Sequence, residues 1–221
     1  MRNRLGLLIL IPLFTISALA EDEVPSDRQG RAEVWLGISS WPALDDLVPS
    51  ASGSFDTTGY ALGGALHIPF KRFASSDLFV GVDGFIAATE SSVNGFIGEL
   101  TVRHAYLGGS AKWLLGPRRR MSLDAGLGLH LVDMAELSDN VYGLEHEAWE
   151  SSRAGAFVGA TWDFGKRDAA SSGGLSLGFK VHFVDFGRVY DEDVFIRGLL
   201  GNNAGNLDGP VYMLQIGYSM R

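Results

Sequence analysis

The chain has 221 residues, 46% of them hydrophobic, with 29 glycines, no cysteine and a formal net charge of −8. Without cysteine there is neither a disulfide framework nor a lipid-modified N-terminal cysteine, and the acidic balance argues against a nucleic-acid partner. Beyond the first twenty residues no stretch is long and apolar enough for a transmembrane helix, so any insertion into a bilayer must use strands.

Residues 1–20 read as a secretory signal. A basic start, MRNR, leads into the apolar run LGLLILIPLFTISA and reaches Ala18-Leu19-Ala20 just before Glu21-Asp22-Glu23, the A-x-A arrangement of a cleaved export signal. Removing 20 residues leaves 201 of the 221. Loss of Arg2 and Arg4 takes the 18 basic residues to 16 against 26 acidic ones, a net charge of −10. Residues 21–30 then form a short N-terminal lead, and 31–221 a single domain.

From residue 31 onward, apolar residues recur at every second position, the period of a strand. Strands are expected near 31–41, 57–70, 77–88, 99–115, 121–133, 151–164, 173–186 and 209–219. The first sets Val34, Leu36 and Ile38 against Glu33, Trp35 and Gly37. The second sets Tyr60, Leu62, Leu66 and Ile68 against Ala61, Gly63, Ala65 and His67, and the third Leu78, Val80, Val82 and Ile86 against Phe79, Gly81, Asp83 and Phe85. In the fifth, Leu123, Ala125, Leu127, Leu129 and Leu131 lie opposite Ser122, Asp124, Gly126, Gly128 and His130. The sixth, seventh and eighth repeat the pattern around Val158, Phe179 and Leu214.

Alternation by itself also suits a soluble lipocalin-like barrel or a sandwich. Three features point instead to lipid on the apolar side. The other face is rich in glycine and alanine with scattered charges, as the cramped inside of a small barrel requires. Connections alternate in length: Lys71–Ser76, Gly116–Arg120 and Gly165–Ser172 are short, whereas Pro42–Asp56, Thr89–Gly98, Met134–Glu150 and Gly187–Asp208 are generally longer. Aromatics gather near the strand ends, with Phe70, Trp113, Trp162, Phe164 and Tyr218 at the short-turn end and Tyr60, Phe183 and Tyr212 at the other. Short turns, long outer loops and aromatic girdles mark a transmembrane β-barrel. Closure follows because unpaired backbone groups are not tolerated in hydrocarbon. The expected fold is all-β, an eight-stranded antiparallel up-and-down transmembrane β-barrel with both termini on the periplasmic side.

On this pattern, over essentially all of residues 31–221, the sequence resembles the small eight-stranded bacterial outer-membrane barrels, the family that includes the transmembrane domain of outer membrane protein A and its virulence-related relatives. The segment PVYMLQIGYSMR resembles the closing strand that such proteins present to their assembly machinery. It departs from the family in ending Met220-Arg221, with Tyr218 the last aromatic. The resemblance implies a monomer in the outer membrane of a Gram-negative bacterium, with a structural or envelope-interaction role and contacts to outer-membrane lipid and lipopolysaccharide. A different class of role is a narrow conduit for small or hydrophobic solutes, which requires a continuous lumen or a lateral opening.

With the apolar face outside, Glu33, His67, Asp83, Glu99, Arg103, Asp124, His130, Arg153, Asp163, Lys180 and His182 are expected to point inward. An eight-stranded barrel is just wide enough for side chains to fill it, and charges inside must pair or be hydrated. A structural network that fills the lumen is the favoured reading. A gated proton or small-ion path through His67, His130 and His182 is the sharper alternative, because histidine changes charge near neutral pH. In the fourth strand, the phase that brings Glu99 and Arg103 inside turns His104 and Tyr106 toward lipid, and it is preferred because an outward arginine is costly at mid-membrane.

The short turns carry seven basic residues, Lys71, Arg72, Arg118, Arg119, Arg120, Lys166 and Arg167, while the long loops are acidic. Asp191-Glu192-Asp193 lacks the spaced pattern and glycine of a calcium loop, and reads as solvated charge; no metal or cofactor is expected. Val194–Gly201 is an apolar patch in the last loop, read as a lid over the barrel mouth. His146, Glu147, Glu150, Ser151 and Ser152 form the only compact grouping of catalytic residue types. No G-x-S-x-G elbow accompanies it, so a lipid A-modifying enzyme is the least favoured reading.

Overall fold

The computed structural model describes residues 30–47, 56–92, 98–116, 120–138, 148–164, 173–189 and 205–220. Residues 1–29, and with them the signal, lie outside it, as do Asp191–Asp193, the Val194–Gly201 patch, His146 and Glu147.

Eight strands form one closed antiparallel barrel in sequence order: β1 (Arg31–Ser40), β2 (Thr58–Arg72), β3 (Ser76–Ser92), β4 (Gly98–Leu115), β5 (Met121–Ser138), β6 (Ala148–Asp163), β7 (Gly174–Val189) and β8 (Gly205–Met220). Each pairs with its chain neighbour, and β1 closes the ring on β8 from Ala32↔Met220 to Ser40↔Tyr212. No edge is left between first and last strand, as hydrocarbon demands. The termini and the β2–β3, β4–β5 and β6–β7 turns share one end. The opposite end holds the other four connections. The ladder shifts register between Pro69 and Lys71, where proline has no N–H to donate.

Several strands run beyond the lengths expected from alternation, by the most at the long-loop end: β3 to Ser92, β5 to Ser138, β7 to Val189; β2 runs on to Arg72 at the short-turn end. There the wall leaves the apolar belt, and a ladder in water needs no alternation of hydropathy. The first long connection also contains a two-turn element that periodicity does not announce, the 3₁₀ helix η1 (Pro42–Leu47). It folds inward, burying Trp41, Ala43 and Leu44 and packing against β8.

The outside of the wall is apolar. Val34, Leu36, Leu62, Ile86, Leu107, Leu123, Leu127, Leu129, Val158, Phe179, Leu214 and Ile216 all face outward and exposed, Leu127 at 72%. In water that surface would be far larger than the few hundred Å² of contiguous apolar patch a soluble monomer tolerates; in hydrocarbon it is matched to its solvent. The two aromatic girdles stand as expected, with Phe70, Trp113, Trp162, Phe164 and Tyr218 exposed at one level and Tyr60, Phe183 and Tyr212 at the other.

Candidate functional site

Among the described residues the fold concentrates chemistry in the lumen, which is built in two layers. The layer toward the termini is ionic. Arg31 of β1 donates from Nη2 to both oxygens of Asp163 on β6, each at 2.8 Å, and pairs with Glu33 two residues along its own strand. Lys112 of β4 reaches Glu33 Oε1 at 2.8 Å and Asp124 Oδ1 of β5 at 3.2 Å, and Thr161 donates to Asp124 Oδ2 at 3.0 Å. His67 and Ser110 join β2 to β4 through a 2.9 Å hydrogen bond. Above them Lys180 pairs with Asp83, its ammonium 4.8 Å from the centre of the Phe157 ring and 5.7 Å from that of Trp35. Arg31, Lys112 and Lys180 are thus set against Glu33, Asp83, Asp124 and Asp163, which is how buried charge survives removal from water.

The second layer is aromatic. Phe85, Tyr106, Phe157, Phe186 and Trp41 enclose His104, His130 and His182. His104 Nε2 lies 2.9 Å from His130 Nδ1, His130 and His182 meet edge to face at 5.4 Å, and both are fully buried. The glycine face of β5 is the counterpart of these rings. A Cβ at Gly126 would come 2.3 Å from Phe157 Cε1, and one at Gly128 2.7 Å from Tyr106 Cε2. At Gly126 the ring comes nearest; at Gly128 the β4 backbone, Leu107 O at 2.4 Å and Gly108 Cα at 2.5 Å, stands closer still.

Of the residues expected inside, Glu33, His67, Asp83, Asp124, His130, Asp163, Lys180 and His182 are there. Two are not. Arg103 points outward, its side chain 58% exposed, and pairs with Asp133 of β5; Arg153 is exposed, donating from Nη1 to Ser152 O at 3.2 Å. The side chain of Glu99 lies outside the described residues. The fourth strand therefore runs in the opposite phase: Val102, His104, Tyr106, Ser110, Lys112 and Leu114 are buried, and His104 and Tyr106 do not face lipid. The physical reason is depth. Arg103 sits near the long-loop end of β4, with a carboxylate opposite it in the ladder, where an outward arginine costs little. Further down, the outward face is Ala105, Leu107, Gly109, Ala111 and Trp113, wholly apolar.

Sequence reasoning missed Arg31, Lys112 and His104 as lumen groups. The signal was present in β4: only the phase with Lys112 inward leaves that run of the strand without a charge on the lipid side. Among the described residues no group of three or more His, Cys, Asp or Glu is arranged to hold a metal ion.

No protein-family model matches the sequence, nor does any curated protein. Solved structures are similar to the chain at low identity. Ail, the attachment invasion locus protein of Yersinia pestis, is 12% identical with a TM-score of 0.44, over 87% of this chain and 99% of that one. Neisserial surface protein A is 13% identical with a TM-score of 0.43, over 86% and 94%. The outer membrane protein OprG from Pseudomonas aeruginosa is 12% identical with a TM-score of 0.42, over 90% and 100%. The barrel itself is read from this chain's own closed ladder.

Proposed function

We propose that the protein is an integral outer-membrane barrel with a structural, envelope-interaction role, its lumen closed and its acidic outer loops turned toward lipopolysaccharide and neighbouring surfaces. The observation that carries this reading is the filled lumen. Lys112 bridges β1, β4 and β5, Lys180 pairs with Asp83, and the aromatic layer with η1 stands above them, so that side chains occupy the interior as expected for eight strands. An apolar exterior, aromatic girdles and a basic short-turn end suit a monomer held by lipid alone. Among the described lumen residues, the hydrogen-bonded His67 and Ser110 lack an orienting acid, since His67 Nδ1 has no hydrogen-bond partner. The test is a deletion strain: loss of the gene raises sensitivity to detergent and bile salts, and a plasmid copy restores resistance. Unaltered sensitivity contradicts the reading.

A second reading, a lateral conduit for small hydrophobic solutes, is favoured by one feature of the wall. The β5–β6 ladder continues to Ala135↔Ala148, whereas the β6–β7 ladder stops at Ala156↔Phe183. Above that level the two strands are not paired with each other. A crosslink between cysteines placed at Ala154 and Asp185 separates the readings: it abolishes uptake of a hydrophobic dye if the seam conducts and changes nothing if the barrel is closed.

A further inference from the structure

The aromatic layer contains an arrangement that the closed-barrel reading does not use. His104 of β4 and His130 of β5 share one hydrogen bond at 2.9 Å, their rings stacked with centroids 5.1 Å apart. A bond between two neutral imidazoles needs one nitrogen to donate and the other to accept. One proton serves both. A second proton would leave two donors face to face and place a positive charge in an apolar box.

Among the described residues the surroundings offer that charge no anion. Phe85 of β3 lies 4.9 Å from both His104 and His182, and Asp83 on the same strand is taken up by Lys180. On β4 the neighbour is Tyr106, 4.6 Å from His130; on β5 the inward residues beyond His130 are Val132 and Met134, both buried. The β6 strand contributes Phe157, 5.0 Å from His182, and Arg153, a cation paired with His130 in the ladder. On β7 stand His182, Lys180 and Phe186, on β8 Val211 and Met213, on β1 Trp35, and on η1 Leu44 and the exposed Asp45. The inward cation is of like sign. Aromatic faces offset only a small part of the desolvation of an imidazolium.

One wall of this box is built differently from the rest. Phe85, Tyr106 and Phe157 project from paired strands and Phe186 from the irregular stretch of the β7–β8 ladder, whereas Trp41, 5.4 Å from His104 and 5.5 Å from Phe186, sits beyond the end of β1. It is tied by Trp41 N–H donating to Thr57 O at 2.8 Å, and the Leu44 N–H donates back to Trp41 O at 3.1 Å. Trp41 packs on His104 from the outer side, with Leu44 fully buried beside it. We infer that the His104–His130–His182 layer is an acid-operated latch on this plug: proton uptake by the layer drives Trp41 and η1 out of the barrel mouth. The ionic layer below stays paired, so release of the plug opens the mouth and not the whole lumen.

The latch is tested with the full protein in phospholipid vesicles, taking the Trp41 fluorescence as the difference between wild type and Trp41→Phe. On reversible acidification from about pH 7.5 to about pH 4.5, across the range where histidine charges, the Trp41 emission shifts to longer wavelength and becomes more quenchable by acrylamide. The double variant His104→Gln/His130→Gln loses this response, and His67→Gln, in the lower layer, keeps it. A Trp41 signal that does not change with pH while the barrel retains its heat-modifiable mobility overturns the inference, whether or not the double variant folds. An equal response in a folded double variant overturns it as well.

Discussion

Lys112 and Glu33 meet across the lumen at 2.8 Å, joining β4 to a strand three places away around the barrel, and Asp124 at 3.2 Å completes the bridge. Each of the three is at least mostly buried, so each needs the others. Removing only the cation leaves Glu33 with Arg31 alone and Asp124 with only the Thr161 hydroxyl, in a water-poor interior. Lys112→Met should therefore destabilise the barrel by about 3–5 kcal/mol, and the triple variant Lys112→Met/Glu33→Gln/Asp124→Asn should recover most of that loss. Urea unfolding in detergent micelles, followed by gel mobility, measures both.

Outside the wall the ordering is reversed. Leu127 projects 72% exposed from the middle of β5, and in a bilayer Leu127→Arg should cost about 2–4 kcal/mol. At Arg103, whose exposed side chain pairs with Asp133 near the outer rim, Arg103→Gln should cost under about 1 kcal/mol, as exposed ion pairs do. Vesicle-based unfolding of the two variants checks the contrast, and equal effects would speak against the assigned depth.

How much of this was legible beforehand depends on what a side chain had to satisfy. Within the hydrocarbon belt the period of two is enforced at every step, and the outward residues of β1, β2, β3 and β5 follow from spacing alone. Near the rim the rule relaxes. Arg103 reads as an interior residue because its charge is weighed without its depth, and that one misplacement turns His104 and Tyr106 the wrong way and hides Lys112. Arg153 fails for another reason: it has the inward phase of β6, yet β6 above Ala156 is not paired with β7, and its side chain is exposed. Trp41 and η1 were invisible because a six-residue 3₁₀ helix is too short to show a period.

The glycines of β5 give a third expectation. A Cβ at Gly126 would meet Phe157 Cε1 at 2.3 Å and Gly109 O at 2.7 Å, and the backbone oxygen cannot move aside. Gly126→Val should destabilise by about 1–3 kcal/mol or more through overpacking. Gly126→Val combined with Phe157→Ala should recover only the part due to the ring. Thermal midpoints read from gel mobility would show the difference.

At Gly155 the neighbour is a histidine. A Cβ there would lie 2.7 Å from His130 Cδ2 and 2.7 Å from Phe183 O, at the level where the β6–β7 ladder ends. Gly155→Ala should shift the His130 ring and weaken its bond to His104, a loss of about 0.5–1.5 kcal/mol for the bond itself. The imidazole nitrogen resonances of the two histidines in labelled protein are the direct readout; unchanged resonances in Gly155→Ala would show that His130 is held elsewhere.

The central claim is that side chains close the lumen, and conductance across a planar lipid bilayer tests it most directly. Purified protein at neutral pH should insert without producing discrete current steps, because the Lys112–Glu33–Asp124 bridge, the Lys180–Asp83 pair and the aromatic layer occupy the interior. Reproducible, long-lived open-channel currents from the wild-type barrel would contradict it.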